Sequence, residues 1–378
     1  EPTYASPVCK GYAMTAFRSL HPRDVLLGAQ AAQVGLPVCD HYCGVFPRMV
    51  KSLELQRTLM REYGACVMDV TLDCEDGAPI GLELAHAHSI AELLLTNKPS
   101  DAGARVGVRV HALNNGTVGG QSSHFKSDVD IILGAAAAQV AFVMLPKVEC
   151  RADVDTACAL IDQAVGQQGP YSLNSLIPIH VLIESPAAVA QVNAIAAHPR
   201  VHSLSFGLMD FVSAHGGAIP ASAMSAQGQF DHPLVVRAKL EIANAAHAYG
   251  KVPSHCVVTE FKDSQALSLA ATQANQRFGY TRMWSIHPDQ VRTIVAAFSP
   301  QLDEVAHAAQ VIEAALDAHW APVSLNQQLH DRASYRYFWQ LLERAHATGV
   351  VLPVSLQSFF TVRHEPRPVT SGAEAHSL

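Results

Sequence analysis

The sequence predicts an α/β chain: a (β/α)8 TIM barrel followed by a C-terminal helical extension. Three observations predict it. Eight short apolar runs recur at 36–46, 66–74, 105–113, 141–148, 178–185, 201–209, 252–258 and 281–286. Amphipathic stretches lie between most of them, such as PRMVKSLELQRTLMREYG and HPLVVRAKLEIANAAHAYG, both ending on Gly, a usual helix stop. No GxGxxG follows an early strand, so an open dinucleotide-binding sheet is set aside in favour of a closed eight-fold alternation.

Taken in order, residues 1–34 read as an N-terminal extension and residues 35–300 as the barrel. Residues 301–363 read as two helices joined by a loop, DEVAHAAQVIEAALDAH and ASYRYFWQLLERAHA. Tyr335, Tyr337, Phe338 and Trp339 give this segment much aromatic surface. It reads either as packing on its own barrel or as a lid or interface helix. The last fifteen residues, 364–378, are polar and Pro-containing and read as disordered.

Composition removes several function classes. Hydrophobic residues make up 49% and charged residues 16%, a globular profile. A formal charge of −7 argues against nucleic acid as the main partner. No apolar run reaches the roughly eighteen residues of a membrane span. The start, EPTYASPVCKGY, lacks a signal-peptide pattern, although it begins without Met. The eight cysteines are scattered without a CxxC and read as reduced, mostly buried thiols of a cytoplasmic protein. The 20 histidines show no HExxH spacing, and His86 and His88 read as surface or packing residues.

The polar residues cluster at the C-terminal ends of the runs, where barrel enzymes place their sites. Run two ends in Asp73, Glu75 and Asp76, run three holds Arg109, and run four ends in Lys147 and Glu149. Runs five and six end in Glu184 and Asp210, and run eight in His287. Any one of these fits helix capping or a solvated face; Asp76 reads also as a cap, and His287-Pro288 as a helix start. Five charged ends together are harder to explain that way. Glu184 and Asp210 lie one βα repeat apart, and neighbouring strands are about 5 Å apart. Two carboxylates there repel unless a cation sits between them, and a hard divalent ion, Mg²⁺ with Mn²⁺ as the alternative, suits them. Zn²⁺ would want Cys or His at the site.

LDCEDGA, VRVH, LPKVE, LIESPAAV, SFGLMDF and SIHPDQ, in this order and spacing, resemble the HpcH/HpaI aldolase and citrate lyase β-subunit superfamily, nearest its CitE-like branch of malyl-CoA and citramalyl-CoA lyases. The resemblance covers roughly residues 36–312. It implies a TIM barrel, Mg²⁺-dependent carbon–carbon lyase chemistry on a small molecule, and a homo-oligomer, a trimer or hexamer. It implies that Glu184 and Asp210 hold the metal and that Arg109 binds the substrate carboxylate and stabilises an enolate. It implies that Glu75 and Asp76 form the acidic surround of the metal waters and the arginine.

Departures from the pattern mark what is particular here. The family has Asn where this chain has His111, Thr where it has Ser185, and Leu where it has Phe211. A lysine-bearing turn is replaced by Arg282-Met283-Trp284. The family's Gly-Lys-Met lid motif is absent; LHDRASYRYFWQ stands in its place and makes Asp331 the candidate lid acid. The missing motif leaves the coenzyme A thioester as an open substrate class, with Arg48 and Lys51 as candidates for holding it or as a plain solvated helix face. Three functions compete: a Mg²⁺-dependent lyase on a β-hydroxyacyl-CoA or related hydroxy acid, an acyl-CoA thioesterase on the same scaffold, and a catalytically silent partner-binding subunit.

Overall fold

Each of the eight apolar runs forms a parallel strand, because each is covered by the barrel interior on one side and by a helix on the other. In the computed structural model, which describes residues 21–28, 35–97, 103–113, 124–166 and 176–361, the strands are β1 Cys39–Cys43, β2 Met68–Asp73, β3 Val106–Arg109, β4 Phe142–Leu145, β5 Ile179–Ile183, β6 Val201–Phe206, β7 Val252–His255 and β8 Arg282–Ser285. They pair in sequence order, and β8 closes on β1 with Cys39 opposite Met283. The expected disordered tail at 364–378 lies outside the described residues. The chain divides into two compact units, Gly35–Phe298 and a second made of Glu1–Val34 with Ser299–Leu378.

The helix Phe46–Tyr63 illustrates how the barrel is wrapped. Pro47 sits in its first turn, Met49, Leu53 and Leu59 face the strands, and Gly64 ends it at φ 66°, a left-handed conformation that glycine adopts without steric cost. Leu59 is fully buried; truncation to Ala would cost about 2–5 kcal/mol.

Alternate residues on the strands fill the barrel interior in three layers. The N-terminal layer is ionic. Arg282, fully buried, contacts Asp40 at 2.9 Å and Asp69 at 2.7 Å, and its guanidinium also donates to the Pro37 carbonyl at 2.7 Å. Arg105 donates to Asp69 at 3.0 Å and Thr71 to Asp40 at 2.6 Å. The middle layer is a plug of Tyr42, Met144, Leu182 and Trp284, with Tyr42 stacked on Trp284 at 4.2 Å. The third layer is the mouth. Of the seven cysteines described, all are unpaired and five are buried. His86 is a packing residue: it is buried and bonds the Asp73 carbonyl at 2.9 Å.

The second unit departs from expectation in two ways. Helices Leu302–Asp317 and Arg332–Ala347 form as read, but the segment between them is not a plain loop. It is an antiparallel hairpin, β9 Val323–Leu325 and β10 Gln328–His330. Asn326 (φ 52°) and Gln327 (φ 65°) make its turn, the positive-φ pair that two-residue hairpins need. Three-residue strands and a turn without glycine leave little trace in a sequence. A further helix, Val354–Thr361, follows. Tyr335 and Trp339 are fully buried inside this unit, beside Val305, Ile312 and Leu342. Of the four aromatic residues singled out in this helix, only Tyr337 and part of Phe338 remain at the surface. Among the described residues no helix is long and apolar enough to cross a membrane.

Candidate active site

The mouth is organised by the register of β2 and β3, which places Asp73 opposite Arg109. Arg109 donates to both oxygens of Asp73, at 2.7 and 2.5 Å, and a third nitrogen lies 3.2 Å from Glu75. Its guanidinium also rests 5.3 Å over the Tyr42 ring. Asp73 in turn accepts the amides of Glu75 and Gly77, each at 2.9 Å, which shapes the turn behind β2. Burial opposes the charge on Arg109, but Asp73 outweighs it and holds the guanidinium firmly protonated. The result is a fixed planar fork with donors still free for a substrate.

Lys147, two residues past β4, ties the acidic residues together. It adopts φ 52°, rare for a side chain with Cβ. That turn aims its backbone N–H at Glu184, at 2.6 Å, while its ammonium bonds Glu75 and lies 3.4 Å from Asp76. Glu184 directly follows β5. Burial first, and then the charge of Asp210, pushes its carboxyl up to about 8. Ser185 caps the following helix by accepting the Ala188 amide at 3.0 Å, which fixes the chain just after Glu184. Gly207 makes room from the other side: a Cβ at that position would sit 2.5 Å from the Glu184 carboxylate. Asp210 follows in the first turn of the helix Leu208–Ser213, half-buried.

The mouth thus sets Asp73, Glu75, Asp76, Glu184 and Asp210 against two permanent cations, Arg109 and Lys147. Such an excess of negative charge, part of it buried, calls for a cation. Among the described residues no three His, Cys, Asp or Glu side chains converge on one point. The donor set that fits is two hard carboxylates, Glu184 and Asp210, completed by water or substrate oxygens, which suits Mg²⁺.

Other candidates fall as follows. Arg48 and Lys51 are exposed early in the helix that leaves β1, at the mouth end of the barrel. Asp76 is exposed and caps no helix: the next one begins at Glu83, with Leu82 at its N-cap. Its neighbour is Lys147. His287 stacks on Phe261 and accepts the Asp289 amide at 3.3 Å, a helix start. Asp331 belongs to the second unit, where its carboxylate accepts the amides of Ala333 and Ser334 as a helix N-cap. Two residues lacked any assigned role in the sequence, Asp73 and Lys147; both sat at charged run ends, but the roles lie in register and backbone. A third feature, His111 held by Asp128, had only the His111 departure as its signal.

A family model for HpcH/HpaI aldolase/citrate lyase matches residues 56–288. An L-malyl-CoA/beta-methylmalyl-CoA lyase from Rhodobacter capsulatus is 28% identical over 196 residues, covering 50% of this chain and 60% of that relative's length. A citrate lyase crystal structure from Burkholderia xenovorans LB400 is 45% identical, covers 90% of this chain and all of that one, and superposes with a TM-score of 0.74. CitE from Mycobacterium tuberculosis, solved with magnesium, acetoacetate and coenzyme A, shares the fold at 22% identity, a TM-score of 0.57, and coverage of 83% and 98%.

Proposed function

Because the chain belongs to the HpcH/HpaI aldolase/citrate lyase family, we propose that it is a Mg²⁺-dependent carbon–carbon lyase. In this reading it cleaves a β-hydroxyacyl-CoA or related hydroxy acid to an acyl product and a 2-oxo acid. The observation that carries the reading is the mouth itself: Glu184, buried beside Asp210 and pinned by the Lys147 amide, close to a fixed Arg109. Glu184 and Asp210 would hold the ion, with Mn²⁺ as a substitute. When bound, it supplies Lewis-acid polarisation of the substrate carbonyl.

The chain's own residues supply the rest. Arg109 takes the substrate carboxylate or the developing oxyanion on its remaining donors. Asp73 and Glu75 keep the guanidinium from swinging, so the donors are in place before charge develops. Lys147 keeps Glu184 oriented and offsets part of the acidic charge. Arg48 and Lys51 offer cations at the same end of the barrel for the phosphates of a coenzyme A thioester. The names of the lyase relative and of the coenzyme A-bound CitE structure support that substrate class. We assign the assembly to a homo-oligomer, a trimer or hexamer, to be read by light scattering on the full chain.

The test is a coupled assay on malyl-CoA, citramalyl-CoA and free hydroxy acids, with and without EDTA. The expected result is 2-oxo acid released only with Mg²⁺. Free thiol without 2-oxo acid would make the protein a thioesterase instead. No product from any substrate, with or without metal, would leave a silent subunit.

A further inference from the structure

Lyase chemistry at this mouth needs a group that hands a proton to the acyl carbon when the carbon–carbon bond breaks. Asp331, the expected lid acid, is engaged as a helix cap. A second acid lies inside the barrel unit. His111 follows Arg109 by two residues as the chain leaves β3. Asp128, 1% exposed, accepts both its backbone N–H at 2.8 Å and its Nδ1 at 2.7 Å. A carboxylate only accepts, so Nδ1 carries the hydrogen and Nε2 is the ring nitrogen left for chemistry.

His111 also borders a cavity of about 10 Å³, room for about one water. Leu113, Phe125, Leu145 and Asp153 line it, and Lys147, whose amide holds Glu184, forms part of the wall. The charged and titratable groups around the imidazole are Asp128 and His124 beside it, Glu83 and Glu75, Lys147 and Asp153 at the cavity, and Arg109 two residues before it at the end of β3. Burial works against the imidazolium, but the hydrogen bond and charge of Asp128 outweigh it and raise its pKa above the ordinary value.

Resting on the proposed lyase reading, we propose that the His111–Asp128 pair is the proton-transfer couple of the site. In cleavage, the bond between the hydroxyl-bearing carbon and the acyl α-carbon breaks and its electron pair passes to the α-carbon. That carbon takes the proton from His111 Nε2. The hydroxyl proton leaves to solvent as the new carbonyl forms, and neutral His111 regains one from solvent, so protons balance. Condensation runs the same steps backwards, with neutral His111 as the base.

The test compares wild type, His111→Asn and Asp128→Asn in both directions across pH, with Mg²⁺ binding followed by calorimetry. Asn can still donate to Asp128, so the fold is kept. In wild type, cleavage kcat should fall as pH rises through the imidazolium's pKa, and condensation kcat should fall as pH drops through it. His111→Asn should lose both limbs and about 100-fold in kcat, with KM and Mg²⁺ affinity little changed. Asp128→Asn should shift the limbs to lower pH without abolishing them. A His111→Asn enzyme with wild-type limbs and kcat within about threefold overturns the proposal, as does loss of those limbs in Asp331→Asn alone. Absence of Mg²⁺-dependent turnover in wild type would instead overturn the lyase reading, and this proposal with it.

Discussion

The barrel holds two clusters of buried charge, one at each end of the same strands, and they are built to opposite rules. At the N-terminal end two cations, Arg282 and Arg105, meet two carboxylates, Asp40 and Asp69, through ion pairs and hydrogen bonds, and Arg282 is sealed from solvent. At the mouth, five carboxylates surround two cations, and one of them, Glu184, is driven to hold its proton. A balanced cluster is complete as it stands. An unbalanced one is held in place by the fold and finished by something that binds. The difference separates a structural ion network from a site more surely than the presence of charge does.

The largest expected effect breaks the balanced end. Arg282→Met leaves Asp40 and Asp69 buried without that cation and should cost about 3–5 kcal/mol of stability in urea denaturation. Adding Asp40→Asn and Asp69→Asn should recover much of the loss. An Arg282→Met protein as stable as wild type would show that the base cluster is not held by charge. Next come the two proposed metal ligands at the unbalanced end. Glu184→Gln and Asp210→Asn should each weaken Mg²⁺ at least about 100-fold by calorimetry, or ~2.7 kcal/mol, and leave the melting temperature unchanged or higher. Undiminished binding in both variants would remove the metal assignment.

Two smaller effects sharpen the contrast. Arg109→Lys keeps the charge but loses the fork. It should lower turnover at least about tenfold, or ~1.4 kcal/mol, in a folded protein; near-normal kinetics would make the arginine structural. The smallest effect is on acid stability. Burial, and secondarily the charge of His287, pushes the His41 imidazole down to about 4, against roughly 6.5 in the unfolded chain. Between those values the unfolded chain binds more protons, so stability is full above about 6.5 and falls as pH drops toward 4. Thermal melts of His41→Asn should show a flatter slope in that window, and an unaltered slope would assign the loss elsewhere.

The barrel was legible because strands covered on both sides write themselves as unbroken apolar runs, and all eight appear where those runs lie. Glu184, Asp210 and Arg109 stood out because charge at the end of such a run is conspicuous. The roles of Asp73 and Lys147 were not legible. One depends on the register of β2 against β3, the other on a backbone amide turned by a positive φ, and neither is encoded by residue type. The pairing of His111 with Asp128 joins positions that only the fold brings together. The hairpin of β9 and β10 escaped because its strands are too short to show a period.

Gly207 carries a consequence for how this mouth can change over evolutionary time. Since a single methyl there would intrude on the Glu184 carboxylate, every replacement acts on the site while leaving every reactive side chain in the sequence. Such a lineage would keep Glu184, Asp210 and Arg109 and yet lose the shape that the proposed ion site needs. A check of the reactive side chains alone would count it as competent; a Mg²⁺ titration of Gly207→Ala, expected to show markedly weakened binding, would not. The same crowding makes position 207 a control point of the mouth that carries no reactive group of its own.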